Sequence, residues 1–335
     1  MSRTLALAAL PMAMMAAPLA ANTTAAVEPP APIQSLSQES IAPDLSSPET
    51  EILALEEERH RRMTIPVTIG GSGPFNFMID TGSQATAVTH QINQGLSLPR
   101  LGTATVVGMA SSRIVDLVEV NDLMVGTHTI HNISAPVLNR AHLGADGIIG
   151  LDSLQDFRVL IDFRKDTIAL EDVTTKFSSR GFEIIVNARQ RLGQLLITDA
   201  VVEGVRATVI IDTGAQASLG NLALQERIKA RRREEVLTMD VNGVTMMGDL
   251  AYVRSLEIEG LQMRNVPLTF ADAPAFEALG LKDQPVLSLG MQHLKIFDRI
   301  AIDFSNQRIL FDLPRDVARA LRRARSSNYY TPMSR

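Results

Sequence analysis

The chain has 335 residues, of which 45% are hydrophobic and 21% are charged, as expected for a folded soluble protein. Its formal net charge of -5 leaves no basic excess of the kind that phosphate binding requires, so we expect no nucleic acid partner. The absence of cysteine excludes a thiol nucleophile, a cysteine-ligated zinc ion and a disulfide framework.

The N-terminus has the pattern of an export signal. Arg3 precedes an uncharged apolar run from Leu5 to Leu19, which suits the core of a secretory signal and is short for a membrane span. Pro11 and Pro18 argue further against a continuous spanning helix. We predict a signal peptide over residues 1–26 and export to the periplasm or medium of a bacterial cell; a retained signal would instead anchor the protein to the membrane.

Residues 27–61 form the next unit. Their first part is rich in Ala, Pro, Ser and Thr, which predicts a disordered linker or pro-segment, either autoinhibitory or a simple tether. The charged stretch from Pro48 to Arg62 predicts a short helix.

After Met63 the sequence consists of short apolar and β-branched runs separated by Gly, Asn and Asp, a pattern that is typical of strands. The glycine-rich segment Gly70–Pro74 predicts a hairpin turn. The strands that we predict most directly are Thr64–Ile69, Phe75–Ile79, Thr103–Val107, Ile114–Val120 and Val159–Ile161.

An internal repeat is the most informative feature. The segment Phe77–Ala85, FMIDTGSQA, recurs as Val209–Ala217, VIIDTGAQA. A single Asp-Thr-Gly arises by accident in roughly one chain of ten to twenty of this length. Two copies, each after an apolar strand, are far less expected by chance, so the repeat indicates a duplication.

Other segments repeat in the same order. An apolar pair and a glycine follow each Asp-Thr-Gly: Gly150 lies 70 residues after Asp80, and Gly290 lies 78 residues after Asp212. The strand-turn segment Leu160–Phe163 then recurs as Ala301–Phe304. These shared intervals predict two copies of one β unit.

The repeats resemble the aspartic proteases, in particular the retropepsin-like branch, over about residues 63–313. The resemblance implies an all-β, bilobal aspartic protease fold with a peptide cleft between two retropepsin-like β-barrel lobes. It places the lobes at residues 62–176 and 181–314, followed by a basic C-terminal helix and tail over 315–335. Because both lobes lie in one chain, it also implies an active monomer.

The resemblance assigns Asp80 and Asp212 as the catalytic carboxylates of an aspartic endopeptidase that acts on polypeptides. Two neighbouring carboxylates repel each other's charge and hold one proton, so one can activate water while the other protonates the amide. This mechanism needs no cofactor, no metal and no covalent intermediate.

The resemblance also gives roles to the residues around each aspartate. Thr81 and Thr213 tie the two loops together by hydrogen bonds, while Gly82 and Gly214 allow close approach of the backbones. The apolar segments that pack behind the loops are Ile148–Gly150 and Ser288–Gly290.

One difference between the repeats predicts an asymmetric site. In pepsin-like members a hydroxyl three residues after the aspartate donates to its carboxylate. Here Ser83 can donate to Asp80, whereas Ala215 cannot donate to Asp212. We therefore expect Asp80 to be the carboxylate that a hydroxyl stabilises in its ionised form.

Two segments match the substrate flaps of the family, although each could be an ordinary surface hairpin. Gly108 and Met109 lie in the first, and Val244 and Met246 lie in the second. The abundance of methionine suits apolar substrate side chains. The segments are residues 107–113 and 243–248.

The other patterns favour structural roles. His128 and His131 could face one ligand, but their spacing is more often that of a solvated loop pair. Asp162 and Asp303 repeat as faithfully as the catalytic pair and are expected to form hydrogen bonds in turns. The main alternative function is a non-catalytic periplasmic binding or scaffolding protein on the same duplicated fold.

Overall fold

The computed structural model describes residues 6–8, 64–172, 179–230 and 234–328 of the chain. The predicted linker and its helix from Pro48 to Arg62 lie outside the described residues. The fold is mostly β and bilobal, as the sequence predicts.

The N-terminal lobe is built on a ten-stranded sheet of order β1-β5-β6-β9-β4-β10-β3-β2-β7-β8. Its strands are β1 (Ala6–Ala8), β2 (Thr64–Ile69), β3 (Ser72–Ile79), β4 (Ala87–Thr89), β5 (Arg100–Val107), β6 (Ser112–Val120), β7 (Leu123–Val125), β8 (His128–Ile130), β9 (Ile133–Leu138) and β10 (Gly147–Ile149). Three short helices accompany them: α1 (His90–Leu96), α2 (Arg140–Leu143) and α3 (Leu151–Leu154).

The first hairpin follows from the sequence pattern. Ile65, Val67 and Ile69 are buried on alternate positions of β2, which is the period of a half-buried strand. The turn is shorter than predicted: it comprises Gly70 and Gly71, both with positive φ, and Ser72 already pairs with Ile69 as the first residue of β3.

After the N-terminal lobe the chain forms β11 (Phe157–Asp162), β12 (Thr167–Asp172) and β13 (Ile184–Asn187), and then the C-terminal lobe. The strands of this lobe are β14 (Arg189–Arg191), β15 (Gln194–Val202), β16 (Val205–Ile211), β17 (Leu219–Gly220), β18 (Glu234–Met239), β19 (Thr245–Ile258), β20 (Leu261–Phe270) and β21 (Val286–Leu289). Its helices are α4 (Leu222–Ile228), α5 (Pro274–Ala278) and α6 (Met291–Leu294). An extra pairing of β15 with β19 links distant strands of the eight-stranded sheet, as in a barrel-like lobe.

The final strands β22 (Arg299–Asp303) and β23 (Arg308–Asp312) return to the other half of the molecule. They complete a five-stranded sheet of order β12-β11-β22-β23-β13. The two repeated strand segments pair antiparallel with each other in this sheet, with Leu160 opposite Ala301. The shared sheet therefore joins the lobes directly.

The two aspartates of the shared sheet have the structural role that the sequence predicts. Asp162 accepts hydrogen bonds from the backbone amides of Arg164 and Lys165 in the turn after β11. Asp303 accepts bonds from Asn306 in the equivalent turn and from the guanidinium of Arg158.

Arg158 and Asp303 form a buried ion pair in the shared sheet. Their side chains are 2% and 0% exposed, and Nη2 lies 3.0 Å from Oδ2. The arginine and the aspartate face each other across neighbouring strands in register. Removing either partner would leave a buried charge behind, which is costly.

The helix α7 spans Arg315–Asn328, over the segment in which the sequence predicts a C-terminal helix. Within the predicted export signal the structure describes only β1, which runs parallel to Thr105–Val107 of β5. None of the helices within the described residues is long and apolar enough to cross a membrane. The export signal stays a prediction.

Candidate active site

Each Asp-Thr-Gly follows the end of a buried strand. β3 pairs in parallel with β10, and the amide of Asp80 continues this pairing by donating to the carbonyl of Ile149 at 3.0 Å. In the other lobe β16 pairs with β21, and the amide of Asp212 donates to Leu289 at 3.1 Å. The same local topology therefore places one aspartate at the end of each lobe's central strand pair.

Both carboxyl groups are buried and are held by their own loops. Oδ1 of Asp80 accepts from the amides of Gly82 at 2.8 Å and Ser83 at 3.0 Å. Oδ1 of Asp212 accepts from the amides two and three residues further on, those of Gly214 and Ala215, at 3.1 and 3.0 Å. Asp80 is 1% exposed and Asp212 is 0% exposed.

The threonines tie the two loops together reciprocally. The hydroxyl of Thr81 donates to the carbonyl of Ile211 and that of Thr213 donates to Ile79, both at 2.7 Å. Each hydroxyl also accepts from the other threonine's amide, at 3.0 and 3.3 Å. These are the cross-lobe bonds that the family resemblance implies.

Gly214 shows how closely the loops approach. A Cβ atom at this position would collide with the carboxyl group of Asp80, which packs directly over the glycine Cα. The carboxyl group of one lobe therefore lies against the Asp-Thr-Gly loop of the other, and the two aspartates belong to a single site.

Burial changes the acidity of this site. It raises the pKa of Asp212 to about 6. Hydrogen bonds from Ser288 and from the Ala215 and Gly214 amides lower this pKa, but burial outweighs them. Opposing effects of this kind are typical of functional carboxyl groups.

The prediction for Ser83 is wrong. Its hydroxyl donates to the carbonyl of Ala85 at 2.9 Å, so it serves the loop backbone instead of the Asp80 carboxylate. Asp212 is also not without a hydroxyl donor, because Ser288 donates to its Oδ2 at 2.8 Å. Sequence reasoning assigned Ser288 to packing; the only signal was a serine where the first repeat has Ile148.

A family model described as aspartyl protease matches residues 65–153 and 198–292, which together make up more than half of the chain. The chain belongs to the aspartyl protease family. Each matched segment contains one Asp-Thr-Gly loop and one flap segment.

Comparison with solved structures finds a retropepsin-like aspartic protease from Rickettsia conorii. It is 20% identical, and the match covers 39% of this chain and 88% of that chain with a TM-score of 0.28. The search of curated proteins found no significant match to this chain.

The first segment that the sequence matches to a substrate flap, named the first flap, is a hairpin turn in this family member. Gly108 and Met109 belong to the turn that joins β5 to β6. Gly108 is buried, and a Cβ atom there would collide with the carboxyl group of Asp240 in the other lobe. The tip of the first flap is thus packed against the C-terminal lobe.

The second segment matched to a flap, named the second flap, is also a hairpin, but its tip begins earlier in the chain than predicted. Its tip comprises residues 240–244 between β18 and β19, so Val244 is the last tip residue and Met246 already lies in a strand. Sequence reasoning missed Asp240 and Asn242, although an Asp-x-Asn-Gly run is a typical turn signature.

Asp240 joins the two flap tips. Its buried carboxylate accepts from Ser111 Oγ at 2.7 Å and from the Ala110 amide at 3.2 Å. Its other oxygen accepts from the amides of Asn242 and Val244 in its own turn, both at 3.0 Å. The side chain of Asn242 also donates to Ser111 Oγ at 3.0 Å, which adds a second bridge between the flaps.

Apolar residues at the flap tips are exchanged between the lobes. Met109 is fully buried against C-terminal-lobe residues that include Ile210, and Met246 packs against the same cluster. Val241, 1% exposed, packs with N-terminal-lobe residues that include Met78. Ile210 and Met78 each stand two residues before the aspartate of an Asp-Thr-Gly, so both flap tips reach the apolar surroundings of the candidate site.

Behind each Asp-Thr-Gly loop, a hydroxyl group accepts a hydrogen bond from the segment that follows β10 or β21. Thr86 Oγ1 accepts from the Gly150 amide at 3.1 Å in the first lobe, and Ser218 Oγ accepts from the Gly290 amide at 2.9 Å in the second. In the first lobe the hydroxyl of Thr86 also lies 2.7 Å from that of Ser153.

In the C-terminal lobe, His293 takes the place that Ser153 has in the N-terminal lobe. Its Nδ1 lies 2.7 Å from Ser218 Oγ, and the residue is 5% exposed. Burial lowers the pKa of His293 to about 4, so the ring is neutral at pH 7, and its tautomer sets the direction of the hydrogen bond with Ser218.

The histidine pair singled out in the sequence is divided between different contacts. His131 Nδ1 lies 2.9 Å from Asp122, whereas the ring of His128 packs edge-on against Phe157 at 4.9 Å between centroids. Within the part of the chain that the structure describes, no group of three or more His, Cys, Asp or Glu residues could hold a metal ion.

Proposed function

We propose that this protein is an aspartic endopeptidase that hydrolyses peptide bonds in extended polypeptides with water activated between Asp80 and Asp212. One observation carries the proposal: two buried carboxyl groups meet at one lobe interface, each held by its own loop amides and joined by reciprocal threonine bonds. Membership of the aspartyl protease family supports it.

The chemistry follows from a dyad that holds one proton. The ionised carboxylate removes a proton from water while the new C–O bond forms, and the protonated carboxyl group gives its proton to the carbonyl oxygen. In the second step the C–N bond breaks as the first carboxyl group passes its proton to the leaving nitrogen. The proton of one diol hydroxyl returns to the other carboxylate, which restores the starting state.

The surroundings of the aspartates support apolar substrate side chains. Met78 and Ile148 in one lobe and Ile210 and Leu219 in the other belong to buried apolar clusters next to the catalytic loops. An extended chain bound beneath the flaps would place its side chains against these residues. We propose cleavage beside medium-sized apolar residues.

A cleavage assay across pH tests the proposal. The purified protein is incubated with an unfolded protein between pH 3 and pH 8, with and without pepstatin, an inhibitor of aspartic proteases, and products are identified by mass spectrometry. We expect pepstatin-sensitive cuts at apolar positions. Absence of cleavage at every pH would favour a binding or scaffolding role.

Export is part of the proposal. Arg3 and the uncharged run from Leu5 to Leu19 support delivery to the periplasm or medium, with residues 1–26 removed. Fusing these residues to a reporter that lacks its own signal tests this, because a reporter retained in the cytoplasm would contradict it.

A further inference from the structure

Ser288 makes the two halves of the candidate dyad chemically different. It stands opposite Ile210 in the parallel pairing of β21 with β16, just as Ile148 stands opposite Met78 in the pairing of β10 with β3. The two positions are therefore equivalent in the fold. One carries a hydroxyl and the other an aliphatic side chain.

The hydroxyl reaches the catalytic carboxyl group. Ser288 Oγ donates to Asp212 Oδ2 at 2.8 Å, and the serine is 0% exposed. The backbone donors on the two aspartates are matched, since each Oδ1 accepts two amides from its own loop. Ser288 thus contributes a donor that the corresponding position of the N-terminal lobe cannot supply.

A donor to a carboxylate stabilises the charged form over the neutral form. The bond lies in a buried site, where water competes little with it and where electrostatic interactions are strong. The groups that face Asp212 are the carboxyl group of Asp80 across the lobe interface, the amides of its own loop, and Ser288 from β21. His293 on the adjacent α6 is bonded to Ser218.

We propose that Ser288 is a positioning residue that fixes Oδ2 of Asp212 and favours its ionised form, so that Asp212 is the carboxylate that takes the proton from water. Asp80 then carries the shared proton and delivers it to the carbonyl oxygen. This inference rests on the proposed function, and it replaces the role that the sequence suggested for Ser83.

The test measures the pH dependence of kcat/KM for the full chain and for Ser288→Ala, Ser288→Cys and Ser288→Thr. Removing the donor in Ser288→Ala raises the pKa of the dyad, so the acid limb moves to higher pH by about one unit. Ser288→Cys, with a weak donor of similar shape, shifts it by less, and Ser288→Thr, which keeps the hydroxyl, restores it. Ser83→Ala leaves the limb in place.

A second readout does not depend on cleavage. Carboxyl ¹³C NMR follows the titration of Asp212, whose signal is assigned by its loss in Asp212→Asn. Its midpoint rises in Ser288→Ala and returns in Ser288→Thr. A purely structural role for Ser288 would lower kcat without moving either midpoint.

The outcomes separate this inference from the proposed function. Coincident acid limbs and titration midpoints in wild type and Ser288→Ala, or a shift to lower pH, would overturn the role of Ser288 while cleavage stands. If no variant cleaves any substrate, the proposed function fails, and the Asp212 titration still decides whether Ser288 favours the charged form.

Discussion

The hydroxyl of Ser111 donates a 2.7 Å hydrogen bond to Oδ2 of Asp240, and this bond joins the tips of the two flaps. Each flap belongs to a different lobe. If a polypeptide binds between the flaps and the aspartates as proposed, we expect this junction to open during binding.

Replacing Asp240 by alanine is expected to loosen the junction. The change removes the acceptor of four hydrogen bonds, two of them across the flaps. Each bond contributes about 1 kcal/mol, and 1.4 kcal/mol is a factor of ten, so the Ala110 and Val244 amides should exchange hydrogen at least about tenfold faster.

The control for this prediction is Asp116→Asn. Asp116 lies on β6 in the same hairpin, is half-exposed and pairs with Arg100 at the surface. Surface pairs of this kind contribute little, so the variant should leave exchange at the flap tips unchanged. Equal exchange rates in Asp240→Ala and wild type would show that the carboxylate does not fasten the flaps.

The buried ion pair of the shared sheet should dominate the stability of the lobe junction. Arg158→Met leaves Asp303 buried without this guanidinium, which we expect to cost about 3–5 kcal/mol in free energy of unfolding, measured by urea denaturation. Arg100→Met, which breaks an exposed pair, should cost less than about 1 kcal/mol. Similar costs for both variants would refute the distinction.

The same pair predicts acid sensitivity. Burial alone would raise the pKa of Asp303, but hydrogen bonds from Asn306 and the interaction with Arg158 outweigh it, so the pKa is lowered. Stability from this carboxylate is present above its unfolded pKa and is lost as pH falls through the lowered folded value. Asp303→Asn should therefore flatten the acid part of the stability curve.

His293 predicts a second pH effect at higher pH. Its pKa is lowered by burial from 6.5 to about 4, so between these values the unfolded chain binds a proton that the folded protein does not. Stability should decrease by at most about 3 kcal/mol as pH falls from 7 to 4. His293→Gln keeps an acceptor for Ser218 and cannot be protonated, so this variant should lose less stability over the same range.

Asp212 predicts the opposite slope. Burial raises the pKa of Asp212 to about 6, and because the proton is shared with Asp80, the folded dyad holds a proton between pH 4 and 6 that the unfolded chain has lost. Ionisation of the dyad therefore destabilises the fold, and Asp212→Asn should be more stable than wild type at pH 7.5. A less stable variant in urea denaturation at that pH would contradict this.

Features encoded by a local motif were predictable from the sequence. The Asp-Thr-Gly loops follow from a motif that appears twice, and the strands follow from apolar runs of period two. The threonine bonds were implied by the resemblance to the aspartic proteases. The repeat also identified Leu160–Phe163 and Ala301–Phe304 as equivalent segments, but it did not predict that Leu160 pairs with Ala301.

Features that depend on strand register were not predictable. The bond from Ser288 to Asp212 joins residues 76 apart and exists because β21 lies beside β16 in one register. The burial of Arg158 was equally hidden, since arginine is almost never fully buried unless it is paired. At the second flap, the sequence prediction relied on the methionines of β19. The contact with the first flap is instead made by the turn at Asp240.

Cleavage by four proteins tests most directly whether the two aspartates form a single catalytic site: wild type, Asp80→Asn, Asp212→Asn and the double variant. Asparagine keeps the shape of aspartate, so all four should fold. We predict that each single change lowers kcat/KM by at least about a hundredfold and that the double variant is little worse than either, because the two residues act as one unit. Substantial cleavage by either single variant would contradict the account.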